Sequence, residues 1–311
     1  MLPEDKELSS GNSNVRARMA GINNYDNVSN YEYKSEENNE SDIFITQLKD
    51  EMYAFKEDIE FLNGDEFPQG LCITDEYVLI SSYSEEKNEF GKIRVYDRET
   101  GDCLLTLLLD SFSHVGGLAF DGRYIWICNS YNMSLERLSY SFLNKMIEDN
   151  RECEVDARSI VDVFPVENKP SSVTYYNGLL WVATHTVLSD SKMIAYELDE
   201  RKDRLNARIE TWIPSKVQGV TFSEDGEVYF SISYGRKNSS YVKKYASIAS
   251  MSNKSDSYIQ CIELPPCSEE IVCFEDNLYV IFESAATKFL YGTDGKGQCY
   301  FPIDKILIIL R

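Results

Sequence analysis

The sequence predicts an all-β chain assembled from five repeats of one four-stranded unit. Three observations predict it. First, a segment of constant design recurs as QGLCITDEYVLISSYS (69–84), HVGGLAFDGRYIWICNSYN (114–132), SSVTYYNGLLWVATHT (171–186), QGVTFSEDGEVYFSISYG (218–235) and EEIVCFEDNLYVIFESA (269–285). Each has a short polar or small pair, a brief strand, a turn containing Asp, Asn or Gly, and a longer apolar strand. Second, the pairs are evenly spaced: positions 70, 117, 172, 219 and 270 lie 47, 55, 47 and 51 residues apart. Third, the longer strands (YIWIC, LLWVA, LYVIF) are apolar on both faces, as a sheet sandwiched between two others requires. Four antiparallel strands in a repeat of about 40–50 residues are the signature of a β-propeller blade. A five-bladed β-propeller is the architecture expected.

Taken in order, residues 1–42 are rich in Asn, Ser, Glu and Tyr, with no periodicity that could bury a face, and read as a disordered or loosely ordered tail. The propeller domain is assigned to 43–311, with DIFITQLKDEMYAFK (43–57) as a short helix leading in. Blades are expected at about 67–110, 111–166, 167–214, 215–265 and 266–311. Third strands are read at 92–97, 134–139, 192–198, 241–246 and 305–310, and fourth strands at 103–109, 158–164, 207–213 and 258–264. YSFLNKMIEDN (140–150) is a helical insertion in the longest unit. The fifth unit lacks a fourth strand, and DIEFL (58–62) precedes the first unit where fourth strands precede the others. The N-terminal strand is therefore expected to complete the last blade and remove an exposed sheet edge.

Composition narrows the function classes. A net charge of −21 is wrong for nucleic acid, which selects basic surfaces. No apolar run of about 18 residues predicts a membrane span, and MLPEDKELSS lacks the apolar centre of a signal peptide. Sequons at Asn27, Asn39, Asn132, Asn238 and Asn253 matter only on a secretory route, with an extracellular or cell-surface location then expected of a chain whose leader was removed. The eight cysteines include no CxxC pair, which argues against zinc-ribbon and thioredoxin chemistry. Cys72, Cys128 and Cys273 read as small buried hydrophobes. No metal and no cofactor are expected, and the chain reads as a monomer.

Propellers bind ligands at a channel mouth, on the face holding the connections between blades and the ends of the second strands. The repeats place Gln69, His114, Gln218, Glu269 and Glu270 on the connections, and Tyr83, Asn129, Tyr131, His185, Tyr234 and Glu283 at the strand ends. The only two histidines, His114 and His185, both fall on this face. They could act as an acid/base pair with Glu269, Glu270 or Glu283, or simply hydrogen-bond in a polar mouth. Glu270 with Glu283 also has the makings of a glycosidase pair, although no strand-borne acid pattern of that kind is present. The GG pair at Gly116 and Gly117 is a backbone requirement of the blade, since no helix follows to make a phosphate site. TDGKGQC (293–299) lacks the alternating acids of a calcium loop and reads as a turn.

The segment GRYIWICNSYNMSLERLSY resembles the repeat of YVTN- and NHL-type propellers, through Trp126, Asn129, Ser130, Leu135, Arg137 and Leu138. The resemblance spans about residues 58–311 and implies the fold. Members of those families include binding proteins, lactonase-like enzymes and lyases, so no single activity is implied.

The expected function is binding: a small polar ligand, glycan or peptide held over the channel mouth by Gln69, Tyr83, His114, Asn129, Tyr131, His185, Gln218, Tyr234 and Glu269. The alternative is a hydrolase or lyase at the same face, with His114, His185, Glu270 and Glu283 as catalytic candidates.

Overall fold

The structure is a computed structural model that describes residues 65–85, 89–110, 115–150, 153–251 and 257–311. The tail, the segment 43–57, the strand expected at 58–62 and His114 lie outside the described residues.

Within the described residues the chain forms a five-bladed β-propeller. Blade 1 is β1 (Phe67–Ile73), β2 (Tyr77–Tyr83), β3 (Gly91–Asp97) and β4 (Cys103–Leu109), antiparallel in that order. Blade 2 opens with β5 (Val115–Phe120), β6 (Tyr124–Asn129) and β7 (Ser134–Ser139). The chain then forms helix α1 (Tyr140–Asn150) and crosses back. Its β8 (Cys153–Asp156) pairs in parallel with β4, as a fifth strand on blade 1. Only then does β9 (Asp162–Pro165) complete blade 2. The strand expected at 158–164 is thus short and late, because residues before it serve the neighbouring blade.

Blade 3 comprises β10 (Ser172–Tyr176), β11 (Leu179–Ala183), β12 (Ser191–Asp199) and β13 (Arg204–Ile213). Blade 4 comprises β14 (Val217–Phe222), β15 (Val228–Ile232), β16 (Ser240–Tyr245) and β17 (Gln260–Leu264). Blade 5 has three described strands, β18 (Ser268–Phe274), β19 (Asn277–Phe282) and β20 (Leu307–Leu310), with helix α2 (Thr287–Tyr291) between the last two.

The second strands are sealed on both faces, and β15 is buried at every position. Apolar clusters fill the seams between blades. Trp126 of blade 2 meets Phe164 edge-on at 5.3 Å and packs with Val173, Leu180 and Val182 of blade 3. The ring closes where Leu71, Ile73, Val78 and Ile80 of blade 1 pack with Ile281 and Ile306 of blade 5. Burying each such side chain contributes about 1.5–3 kcal/mol.

The polar or small pair of the repeat has a structural identity. In blades 1, 2, 4 and 5 the register between first and second strands slips at this point: between Pro68 and Leu71, Val115 and Leu118, Val217 and Gly219, and Ser268 and Ile271. A β-bulge turns side chains out of the regular alternation. Here it nests one inner strand against the next. A Cβ on Gly70 would collide with the Gly116 carbonyl, and one on Gly219 would lie 2.6 Å from the Ile271 nitrogen. Close backbone approach around the axis, rather than ligand binding, is what demands these glycines.

Candidate functional site

The bulges and the ends of the second strands meet at one mouth of the channel, and the side chains there form a continuous polar arc. It begins at His185, just after β11. Its backbone N–H donates to Ser171 Oγ at 3.0 Å, and its Nδ1 lies 3.1 Å from the Val217 carbonyl. A carbonyl only accepts, so Nδ1 carries the proton and Nε2 is the basic nitrogen. Burial, together with the Lys169 charge, pushes the His185 pKa below its ordinary value, against the opposing Val217 bond. His185 is therefore a neutral imidazole at pH 7.

The next residue along, Gln218, donates from Nε2 to Glu269 Oε1 at 3.2 Å. The Glu269 and Glu283 carboxyls are neighbours, close enough for Glu283 to raise Glu269. Gln69 closes the arc, its Nε2 donating to Glu283 Oε2 at 3.3 Å and to the Pro68 carbonyl at 2.9 Å. Neighbouring carboxyls resist ionising together. Burial raises Glu269 well above the usual carboxylate range, and repulsion from Glu283 and Glu270 adds to it. Burial also raises Glu283, to about 7, although Lys288, Gln69 and Arg236 pull it down. Beside the pair, Tyr83 stacks on Phe67 at 5.0 Å. Its phenol is pushed upward by burial and by Glu283, Glu269 and Glu85, and so remains a neutral donor.

The structure separates the two successive glutamates. The sequence pairs Glu270 with Glu283, but the carboxyl neighbouring Glu283 is that of Glu269. The bulge before Ile271 sends Glu270 elsewhere, toward the inner strands of blades 4 and 2. Its Oε1 accepts from the Val220 and Ile271 N–H groups at 3.3 Å each, while Oε2 is buried without a hydrogen-bond partner. A Cβ on Gly117 would collide with that Oε2. Glu270 is 1% exposed, and burial drives its pKa far up, so it sits as a neutral acid in the ring interior.

The remaining sequence candidates lie off the arc. Asn129 is fully buried in its own blade, its Nδ2 donating to Glu136 Oε1 at 2.6 Å and its Oδ1 accepting from the Asn132 N–H at 3.1 Å. Tyr131 and Tyr234 project from hairpins on the mouth side and are 69% and 48% exposed; Lys216 Nζ lies 5.0 Å from the Tyr234 ring centre. His114 lies outside the described residues.

Two sets of partners are not legible in the sequence, although the repeat does place Glu66 on a connection at the mouth. Glu66, on the blade 1 side, accepts from Arg94 at 2.6 Å, Lys92 at 2.8 Å and Ser82 at 2.7 Å. Burial alone would raise it, but these partners outweigh burial and bring it to about 2. Arg236 of blade 4 is held by Asp294 of blade 5 at 2.7 and 2.9 Å and by the Gly297 carbonyl at 2.7 Å. The 293–299 loop is thereby pinned to blade 4. Neither could be read from local pattern, since each joins positions remote in the chain.

Among the described residues no group of three or more His, Cys, Asp or Glu side chains could hold a metal ion, and no helix is long and apolar enough to cross a membrane. The opposite end of the channel opens into a cavity of about 270 Å³ lined by the far ends of the inner strands, including Thr74, Phe120, Tyr175, Thr221 and Phe274.

No family model matches the sequence, and no curated protein matches it either. Solved structures do. A glutaminyl cyclase from Myxococcus xanthus aligns with a TM-score of 0.48 at 12% identity, over 79% of this chain and 90% of that one. A PQQ-bound aldose sugar dehydrogenase from Streptomyces coelicolor aligns at 0.47 and 10% identity, over 78% and 93%. A chain of a nidogen/laminin complex aligns at 0.44 and 14% identity, over 70% and 73%. None of these overlaps is deep enough to transfer a site or an activity.

Proposed function

We propose that the protein is a binding propeller that holds a small polar ligand at this mouth. The observation that carries the reading is the Glu269–Glu283 pair, flanked by the amides of Gln218 and Gln69. With Glu269 protonated and Glu283 titrating at about 7, the pair offers both a donor and acceptors, and the two amides fix its orientation. Tyr83 adds a neutral donor and an aromatic face, and His185 a neutral imidazole nitrogen. The cations nearest the pair are already engaged, Arg236 with Asp294 and Lys288 with Glu85. The carboxyl pair therefore favours ligands rich in hydrogen-bond donors, such as polyols, amines or a peptide N-terminus. His114 remains a proposed contributor, as do Tyr131 and Tyr234 at the periphery, whereas the Asn129 amide is already used within its own blade.

The test is a thermal-shift panel of sugars, amines, amino acids and short peptides, followed by calorimetry. A ligand at about 100 times its Kd stabilises the native state by about 2.7 kcal/mol. The reading expects a hit whose affinity falls at least tenfold in Glu283→Gln. A hit unaffected by Glu283→Gln and Gln218→Ala would place binding elsewhere.

One observation favours a second reading, a hydrolase or lyase at the same mouth. A carboxyl raised to about 7 beside a second, protonated one suits general acid–base work at neutral pH. In that reading Glu283 is the base, Glu269 the acid and His185 an auxiliary, with His114 and Glu270 as the further candidates from the sequence. Turnover of a panel substrate that Glu283→Gln abolishes, with binding retained, would favour catalysis over binding.

A further inference from the structure

Blade 2 carries a second concave surface, remote from the mouth. Between β7 and β9 the chain detours through α1 and β8, and the detour leaves an open cleft of about 640 Å³ between the first turns of α1 and the segment entering β9. The cleft lies at the far end of the blade. β7 runs away from the mouth, and Tyr140 Oη, at the start of α1, is 3.1 Å from Thr74 Oγ1 just beyond β1. We propose that this cleft is a carbohydrate site that takes a neutral pyranose ring.

The sequence of α1 divides the helix into two faces. Leu143, Met146 and Ile147 recur at helical spacing and are buried in the core shared by blades 1 and 2, with Ile160 packed against them. Ser141, Phe142 and Lys145 are left on the outer side and line the cleft. Across from them stand Ser159, Asp162 and Arg137. The Arg137 guanidinium is locked in place. Its side chain is 12% exposed, and its Cζ lies 4.6 Å from the ring centres of both Tyr124 and Phe164. Arg137 faces Asp162 in the β7–β9 ladder, and its Nη2 and Nε both donate to Asp162 Oδ2, at 2.7 and 3.3 Å. Its Nη1 lies 3.3 Å from Asp203 Oδ1. Both bonds to Asp162 fall on one oxygen, so Oδ1 remains as an acceptor, oriented by a rigid partner.

The other groups complete a set of donors and one apolar wall. Ser139 and Ser141 share a hydrogen bond at 3.0 Å, and Ser139 Oγ accepts from the Phe142 N–H at 3.4 Å, so one hydroxyl proton of the two is left for a ligand. Among the described residues, Lys145 and Ser159 are committed to no other group. Phe142 is 40% exposed and supplies an aromatic face. The charges select the ligand. A carboxylate or phosphate would meet Asp162, and an amine would meet Lys145 and Arg137. Two cations set against Asp162 and Asp203 leave the cleft close to neutral. A pyranose answers each feature. One of its hydroxyls donates to Asp162 Oδ1, others accept from the serines and Lys145, and its C–H face packs on the Phe142 ring. The volume is that of a small-molecule site.

The test is saturation-transfer difference NMR on the folded full-length chain, with the methyl pyranosides of glucose, galactose, mannose and N-acetylglucosamine as probes, followed by titration of any that bind. The expected result is transfer to at least one glycoside, with affinity falling about tenfold, the equivalent of about 1.4 kcal/mol, in Phe142→Ala and again in Asp162→Ala. Removing Asp162 also takes a partner from Arg137, so Lys145→Ala, on the outer side of α1, provides a variant that leaves that pair intact and should weaken binding as well. Transfer should persist in Glu283→Gln, which alters only the mouth. Absence of transfer to all the glycosides overturns the proposal, and so does binding that Phe142→Ala and Lys145→Ala leave unchanged. Binding abolished by Glu283→Gln and untouched by the cleft variants also overturns it, and supports the mouth as the site instead.

Discussion

Two glutamate environments on the same rim behave in opposite ways. On blade 1, Glu66 is partly buried among Arg94, Lys92 and Ser82 and stays ionised down to about pH 2. On the blade 5 side, burial raises Glu283 to about 7, although Lys288, Gln69 and Arg236 pull it down. Burial acts in the same direction on both. The partners decide: two cations in direct contact reverse the desolvation penalty at Glu66, whereas Lys288 and Arg236, already paired with Glu85 and Asp294, only moderate it at Glu283. An ion-paired carboxylate ties strands together, while a carboxyl pair retaining a proton near neutrality is available for a ligand. This contrast separates scaffold from site in a ring whose blades otherwise repeat.

The largest effect comes from removing the cation. Arg94→Ala strands a partly buried Glu66 with Lys92 alone and is expected to cost about 2–3 kcal/mol in urea unfolding at pH 7, somewhat less than for a fully buried pair. Equal stability of variant and wild type would mean the blade 1 network contributes nothing. Amide substitutions should then diverge. Glu66→Gln leaves Arg94 and Lys92 without their charge partner and should cost about 1–3 kcal/mol. Glu283→Gln should fall within about 1 kcal/mol of wild type at pH 4, where the carboxyl is protonated in folded and unfolded chains alike, and should exceed wild type in stability at pH 8. Similar losses for both variants at pH 8 would erase the distinction.

A gentler test is the pH dependence of stability. The folded pKa of Glu66 is depressed, so its contribution is complete above the ordinary carboxylate pKa of 4.5 and is lost as the pH falls toward about 2. That of Glu283 is raised, so its contribution is complete below 4.5 and is lost as the pH rises through about 7. The melting temperature should therefore decline on both sides. The alkaline decline should flatten in Glu283→Gln and persist in Glu66→Gln.

Much of this was legible before the structure, for a definite reason. Second strands sealed between blades must be apolar on both faces, so YIWIC, LLWVA and LYVIF announced themselves, and the recurrent pair ahead of each first strand marked the channel mouth. Gln69, Tyr83, His185, Gln218, Glu269 and Glu283, all drawn from that pattern, lie along one arc. What could not be read was orientation within a bulge. EE before Ile271 gives no local sign that Glu269 turns to Glu283 while Glu270 enters the ring interior. Nor does CEVD reveal that it will pair in parallel with a strand of the previous blade, since that partner is set by the path of the chain after α1.

The most direct test of the central claim is a pH titration of the Glu283 carboxyl by carbon-13 NMR, assigned with Glu283→Gln and repeated in Glu269→Gln. Wild type should show a midpoint near 7, and Glu269→Gln, which replaces the acid by an amide donor, should bring it down toward the ordinary carboxylate range. A wild-type midpoint near 4.5 that Glu269→Gln leaves in place would contradict a proton retained at the mouth.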